Sequence, residues 1–193
     1  MGYSQAQKAE SRQRVLDTAA RQIREHGLKA LGVADCMRSA GLTHGAFYGH
    51  FPSRDALIVA ALEQALTQGE KRVMARAANA AGQSRTPLQA IADAYLHHAH
   101  AENPGTGCAI CSLAGDTAHS TADVKALYTT HLRQLADQLT QAAGSGSETV
   151  GLGVVATIVG AITLARAVDD RELAQSILAA AHALVMTQNG AGQ

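Results

Sequence analysis

Apolar residues recur every three to four positions along most of this chain, which is the spacing of amphipathic helices. No segment shows the strict alternation that is typical of strands. The apolar face of the first predicted helix consists of Val15, Leu16, Ala19, Ala20 and Ile23. The pattern predicts an all-α fold of about nine helices, over residues 4–26, 33–40, 43–50, 53–81, 87–101, 108–119, 121–143, 147–168 and 170–188.

The charge of the chain is unevenly distributed. The formal net charge is zero, and 47% of the residues are hydrophobic, as in a soluble globular protein. Residues 1–55 carry eight basic and five acidic side chains, whereas the remaining residues carry eight and eleven. A basic N-terminal region on an acidic body indicates a polyanionic partner for the first third of the chain only.

Compartment is indicated by the cysteines and the N-terminus. Three cysteines do not form a disulfide framework, and the polar first residues contain no signal-peptide core, so we expect a cytoplasmic protein. Residues 149–165 are uncharged, but they are short for a membrane span and are followed at once by Arg166 and Asp169. Small residues at Gly153, Thr157 and Ala161 favour a buried helix at a subunit interface instead.

Aromatic and histidine residues are concentrated in the stretch SAGLTHGAFYGHFPSRDAL, residues 39–57. Gly41 between two short helices predicts a helix-turn-helix, whose second helix enters the major groove of DNA. The first residues of that helix face base edges: Thr43, His44, Gly45 and Ala46. Phe47 and Phe51 are predicted to lie in the core. Side chains suited to phosphate oxygens are Tyr48, His50 and Arg54.

These residues resemble the DNA-binding domain of the TetR family of bacterial transcriptional regulators. The resemblance covers residues 27–57, with Leu42-Thr43, the Phe47-Tyr48 pair and His50-Phe51 as its specific features. It implies that Thr43, His44, Tyr48 and His50 lie on DNA, with Arg54 in a place that lysine usually occupies. Leu31-Gly32 stands where a threonine often precedes the second helix, so the backbone N–H groups near Val33 are expected to replace one phosphate contact.

The resemblance also implies a domain organisation and a homodimer. Residues 1–55 would form the helix-turn-helix domain, and residues 56–193 a ligand-binding and dimerisation domain. The last two helices would pack against the same helices of a second protomer, so that two DNA-binding domains contact a palindromic operator. The residues expected at the dimer interface are Gly153, Thr157, Ala161, Leu164, Leu178 and His182.

The second domain is expected to enclose a largely apolar pocket for a small hydrophobic or amphipathic effector. The predicted ligand-binding residues are Tyr95, His98, Cys108, Cys111, Tyr128 and Leu132. Cys108 and Cys111 lie at a predicted helix start, where a lowered thiol pKa would suit redox or electrophile sensing; alternatively, both simply pack as small apolar residues. Four neighbouring histidines suggest a metal site, but they lack the spacing of a known motif, so no metal or other cofactor is predicted: His97, His98, His100 and His119.

The favoured function is a ligand-responsive transcriptional repressor that binds double-stranded DNA, with no enzymatic activity and no membrane partner. The alternative is a small metal- or thiol-dependent enzyme that uses the Cys108/Cys111/His cluster. A third interpretation, an architectural DNA-binding protein without a ligand, leaves the long second domain unexplained. Hydrolase, P-loop and dinucleotide-binding fingerprints are absent from the sequence.

Overall fold

Nine α-helices and two 3-10 helices make up the regular structure of the described residues, 5–80 and 85–188, in a computed structural model. The all-α prediction is confirmed, and the predicted helix limits at residues 4 and 81 lie outside the described residues. The α-helices are α1 (Gln5–His26), α2 (Val33–Ser39), α3 (Arg54–Ala80), α4 (Pro87–Tyr95), α5 (His98–Glu102), α6 (Ala109–Ala118), α7 (Ala122–Ala142), α8 (Glu148–Ala167) and α9 (Arg171–Met186). The 3-10 helices are His44–Gly49 and Pro104–Thr106.

The first helices form a small bundle whose core continues into the larger domain. α1 packs on α2 and α3, and it also contacts α6 and the second 3-10 helix. Gly27 ends α1 with φ +87°, a conformation that favours glycine. Ser53 directly precedes α3, and its hydroxyl accepts a hydrogen bond from the N–H of Ala56 at 3.1 Å. The proposed domain boundary at residues 55/56 therefore lies in the first turn of α3, which runs on into the second domain.

The segment 87–101, predicted as one helix, is two helices in the structure. In a continuous helix the carbonyl of Tyr95 would accept from the N–H of Ala99. Instead, the Tyr95 carbonyl lies 2.7 Å from Nδ1 of His100, and the Ala99 N–H donates to Nδ1 of His97 at 3.2 Å. Two histidine side chains thus replace the backbone partners, and the chain turns between α4 and α5.

The second short helix of the predicted helix-turn-helix is a 3-10 helix rather than an α-helix. Thr43 occupies its N-cap position, as predicted, but the side chain makes no capping hydrogen bond. A 3-10 helix is tighter than an α-helix and occurs in short pieces, which suits the six residues between Thr43 and His50.

α8 is the one helix of the described ranges that is long and apolar enough to cross a membrane, a test that core helices of soluble proteins also pass. It lies between α7 and α9. At Gly151 the approach to α7 is so close that a Cβ atom would overlap the Ala136 carbonyl oxygen and the Thr140 hydroxyl. Its small residues therefore serve close packing within the chain at this position.

Candidate functional site

The turn between α2 and the first 3-10 helix depends on Gly41. Its φ is +74°, in the left-handed region that other residues rarely adopt. The N–H groups of Gly41 and Leu42 donate to the carbonyls of Arg38 and Met37 at 3.0 and 2.9 Å, which ends α2 sharply. Leu42 packs half-buried on the core. The predicted helix-turn-helix geometry is confirmed here.

Neighbouring aromatic residues point in opposite directions on the 3-10 helix. Phe47 is 2% exposed and stacks on the buried Phe51, with ring centroids 6.0 Å apart. Tyr48 is 72% exposed and touches Phe47 only by an edge-to-face contact. The core prediction for both phenylalanines is confirmed, while Tyr48 is free to contact a partner.

The residues predicted to read bases form an open surface. Thr43, His44 and Gly45 are exposed, and Ala46 is half-buried. A Cβ atom at Gly45 would meet nothing within 4 Å, so this edge has room for a close partner. Val33, at the start of α2, is half-buried against the core and leaves its backbone for contact. DNA contact by these residues stays a prediction.

Two basic side chains that were not predicted to belong to the site lie beside the 3-10 helix His44–Gly49, which is the predicted recognition helix. Lys8 and Arg12 of α1 are close enough to His50 for their charges to lower the pKa of its imidazole, after burial as the main cause. The Arg12 guanidinium lies 4.9 Å from the centroid of the Phe51 ring. Lys8 and His50 also line one groove, of about 380 Å³, with Thr43. The basic excess of residues 1–55 was the only sequence signal for them.

His50 and Arg54 differ in their partners. Nδ1 of His50 is buried and has no hydrogen-bond partner. The Arg54 guanidinium donates to the carbonyls of Leu28, Lys29 and Leu31 at 3.0 to 3.3 Å. Arg54 thus fixes the α1–α2 connection to the start of α3, and its predicted phosphate contact would have to come from its remaining N–H groups.

A second cluster, of thiol and phenol groups, lies buried in the larger domain. Cys108 is the N-cap residue of α6, as the sequence predicted for a helix start, and both Cys108 and Cys111 are free thiols. Hydrogen bonding from the Cys111 thiol lowers the pKa of Cys108 to about 7, against the opposing effect of burial. The same pairing and burial raise the pKa of Cys111. Of the two thiols, Cys108 is therefore the one that loses its proton more readily.

Tyr95 completes this cluster. Its hydroxyl is buried and has no partner of hydrogen-bond geometry, yet it is close enough to favour the Cys108 thiolate. Burial, followed by the charge of Cys108, raises the pKa of the Tyr95 phenol. By contrast Cys36 is packed in the core of the first domain, where burial raises its pKa to about 11.

His100 holds the backbone around the thiols. It is 1% exposed, and its Nε2 accepts from the N–H of Cys108 at 3.0 Å while Nδ1 faces the Tyr95 carbonyl. Burial lowers the pKa of His100 to about 4, so the ring is neutral at pH 7. Both ring nitrogens are occupied by backbone groups, and no three His, Cys, Asp or Glu residues of the described ranges are arranged to hold a metal.

The predicted ligand-binding residues are only partly brought together. His98 and Cys111 line a cavity of about 570 Å³, in which Arg24 and Arg166 also lie. Tyr95 and Cys108 are buried and do not line this cavity. The Tyr128 hydroxyl donates to the Ile110 carbonyl at 2.9 Å. Leu132 packs half-buried against the core. The arginines had no motif by which the sequence could have revealed them.

The residues predicted for the dimer interface divide between surface and core. Gly153 and Leu164 are exposed, whereas Ala161 and Leu178 are buried within the chain. Thr157 is half-buried and donates to the Gly153 carbonyl. The ring of His182 is held 2.7 Å from Asp93. Further large apolar side chains are exposed on α8 and α9: Leu152, Leu173 and Leu184.

Comparison with known proteins agrees with this geometry. Residues 15–61 match the family model of bacterial regulatory proteins of the tetR family. A TetR transcriptional regulator from Chloroflexus aurantiacus has the same fold, with 22% identity over 94% of this chain and 95% of that one and a TM-score of 0.78. No relative was found among curated proteins.

Two further solved structures have the same fold. The reduced form of E. coli NemR is 20% identical over 92% of this chain and 96% of that one, with a TM-score of 0.74. A TetR-family transcriptional regulator from Streptomyces coelicolor is 23% identical over 94% and 97%, with a TM-score of 0.71. The tight turn, the recognition helix and the family match together define a helix-turn-helix DNA-binding regulator. Residues 15–61 thus match the DNA-binding domain of the tetR family, and the fold of the described residues is that of solved TetR-family regulators.

Proposed function

We propose that this regulator is a cytoplasmic repressor that binds a palindromic operator as a homodimer and leaves it when a small effector binds or a thiol is modified. The observation that carries the proposal is the exposed recognition surface: Thr43, His44, Gly45 and Tyr48 face solvent around a buried Phe47. This surface leaves the apolar ring of Tyr48 exposed to solvent, which does not stabilise the fold. A surface of this kind indicates a partner outside the chain.

Specific and non-specific contacts are expected to come from different sides of this surface. Thr43 and His44 can hydrogen-bond to base edges, and the missing side chain of Gly45 allows close approach. Lys8, Arg12 and Tyr48 flank them and suit phosphate oxygens, which fix the register of the protein on the duplex. The charges of Lys8 and Arg12 lower the pKa of His50, after burial as the main cause, and a bound phosphate would offset these charges.

Dimerisation is expected through α8 and α9. Leu164 on α8 and Leu184 on α9 expose more than half of their surface, and Leu152 and Leu173 expose more than two fifths. Exposed apolar side chains on two neighbouring helices mark an interaction surface. A two-fold axis through this surface would present two recognition helices to successive major grooves.

Release of the protein from its operator is expected to start with ligand binding in the second domain. A ligand changes DNA affinity only if it binds the DNA-bound and the released arrangement of the two DNA-binding domains with different affinity. The cavity of about 570 Å³ is large enough for a small effector and includes groups of α1 as well as of α6, α8 and α9. The thiol pair beside it offers a second input, because a thiolate is the reactive form of cysteine.

The test of the proposal is selection of bound sequences from random DNA, followed by salt titration on the enriched site. We expect a palindrome bound by two protomers, as judged by analytical ultracentrifugation of the complex. Lys8 and Arg12 of both protomers would neutralise four phosphates, which predicts a slope of log K against log salt of about −4. Failure to enrich any sequence, or binding by a monomer, would contradict the proposal.

The thiol input has its own test. Oxidation with hydrogen peroxide should weaken operator binding of the wild-type protein and leave the Cys108→Ser variant unaffected. Cys36→Ser is the matched control, because Cys36 is buried in the first domain with a raised pKa. Equal sensitivity of wild-type protein and Cys108→Ser would show that the thiols merely pack.

A further inference from the structure

Two arginines from different domains line the same cavity, which lies where the end of α1 meets α5, α6, α8 and α9. Arg24 comes from α1 of the DNA-binding domain and is 4% exposed; Arg166 comes from the last turn of α8 and is half-buried. Neither is within ion-pair distance, 4.0 Å, of a carboxylate of the described residues. Buried charges in proteins are normally paired, so this arrangement needs a reason.

Each guanidinium is fixed in place by backbone and hydroxyl oxygens. Arg166 donates to the carbonyls of Ala101 and His100 and to the Ser112 hydroxyl, at 2.9 to 3.0 Å. Arg24 donates to the carbonyl of Gly105 at 2.8 Å and more weakly to that of Ala65 at 3.4 Å. A guanidinium has five N–H donors, so both arginines keep donors for a further acceptor.

The electrostatic balance at the cavity favours an added negative charge. Burial is the main cause that lowers the pKa of Arg24 to about 10; the charge of Arg72 adds to it, and the charges of Glu25, Cys108 and Asp17 oppose it only in part. Burial likewise lowers the pKa of Arg166, and only partial compensation comes from the Cys111 and Cys108 thiols. Of the two acidic residues in the lining, Glu102 is exposed and screened by water, whereas Glu25 packs against Gly105 and partly offsets the charge of Arg24.

We propose that this cavity binds a small organic carboxylate, with Arg166 and Arg24 holding the charged group. The apolar part of the ligand would lie against Ala101, Pro104, Ala165 and Leu178, which line the same space. A planar guanidinium with fixed donors matches a carboxylate in geometry as well as in charge. A volume of about 570 Å³ accommodates an apolar body in addition to the carboxylate.

The position of Arg24 gives such a ligand a route to the DNA-binding domain, and this step rests on the proposed function. Arg24 already joins α1 to the 3-10 helix Pro104–Thr106 through the Gly105 carbonyl. At Gly105 the backbone lies so close to the Glu25 side chain that a Cβ atom would overlap it. A carboxylate that binds the Arg24 guanidinium would shift the end of α1 relative to α6. The recognition helix would move with it.

The experiment is isothermal titration calorimetry on the full-length, DNA-free protein with octanoate and benzoate, each compared with its primary amide. We expect the carboxylates to bind at least about tenfold more tightly than the amides, since the amides cannot form charge-assisted hydrogen bonds. Equal binding of acid and amide would overturn the proposal without any variant. Inorganic phosphate that binds as tightly as octanoate would also overturn it, because the apolar body would then contribute nothing.

Variants locate the site. Arg166→Gln should weaken octanoate binding by about 10- to 100-fold, the usual effect of losing a hydrogen bond to a charged group. Arg171→Gln is the matched control, since Arg171 lines the same cavity but is exposed, and its loss should cost less than about threefold. An equal loss in both variants would indicate general surface attraction and contradict the assignment. Circular dichroism checks that Arg166→Gln is folded, and Arg166→Lys serves in its place if it is not.

The two proposals fail separately. If selected operator DNA binds but octanoate and benzoate do not, the carboxylate site is wrong and the regulator stands. If the carboxylates bind as expected but leave operator affinity unchanged, the site stands and its role in release is wrong.

Discussion

The recognition segment, residues 41–51, and the thiol segment, residues 95–111, use the same residue types for opposite purposes. Both interrupt regular helices, and both combine histidine with tyrosine. In the recognition segment Tyr48 is exposed, and His44 is exposed with it. In the thiol segment Tyr95 and His100 are almost fully buried and serve the chain itself or its thiols. Exposure rather than residue type therefore separates a surface for a partner from an internal framework.

The largest effect expected within the recognition segment is on stability, at its buried residue. Phe47→Ala should lower the free energy of unfolding by about 3–5 kcal/mol, because it removes a fully buried ring and leaves a cavity beside Phe51. Urea denaturation followed by circular dichroism measures this. Tyr48→Ala is the control, with an expected change within about 0.5 kcal/mol for an exposed residue. Similar losses in both variants would mean that the two rings are not divided between core and surface.

The thiol segment should respond to pH through His100. Its pKa is about 4 in the folded protein against 6.5 for the free side chain, so the unfolded chain binds more protons between these values. Stability is therefore full above pH 6.5 and decreases as the pH falls towards 4, by up to about 3 kcal/mol at roughly 1.4 kcal/mol per pKa unit. Urea denaturation at several pH values measures this. In His100→Gln this part of the pH dependence should disappear; an unchanged profile would assign it to other groups.

Operator binding should fail at the exposed residue of the recognition segment. Tyr48→Ala is expected to weaken binding to the selected DNA by about 10- to 100-fold, the loss of a contact that includes a hydrogen bond to a charged phosphate. Fluorescence anisotropy with labelled DNA gives the affinity, and sedimentation confirms the dimer. Tyr95→Phe, which removes the corresponding hydroxyl in the thiol segment, should leave operator affinity unchanged. Unaltered affinity of Tyr48→Ala would refute the phosphate contact.

The smallest effects distinguish two glycines of the recognition segment. Gly41→Ala should cost about 1–2 kcal/mol of stability, since φ +74° is unfavourable for a residue with a Cβ atom. Gly45→Ala should leave stability equal or raise it by up to about 1 kcal/mol, because its Cβ would meet nothing within the chain. Operator affinity should fall for Gly45→Ala, where the added methyl group would face the base edges. A normal operator affinity would place Gly45 away from the DNA.

Most of the architecture could be predicted from the sequence because it depends on local patterns. The spacing of apolar residues predicted the helices, Gly41 predicted the turn, and the burial of Phe47 and Phe51 followed from their spacing. The break at residues 96–97 could not be predicted in this way. It depends on His97 and His100 replacing backbone hydrogen bonds of the helix, which no propensity of the segment reveals.

The sequence by itself determined the helical class, the helix-turn-helix and the basic character of the first third, since each follows from neighbours in the chain. Only the tertiary structure decided which polar groups share a space. Lys8 and Arg12 reach His50 because α1 lies beside the segment that carries His50 and Phe51. Arg24 and Arg166, 142 positions apart, line one cavity because the end of α1 and the last turn of α8 both border it. Long-range proximity is a product of packing, and the electrostatic consequences of burial appear only when the chain has excluded water around such groups.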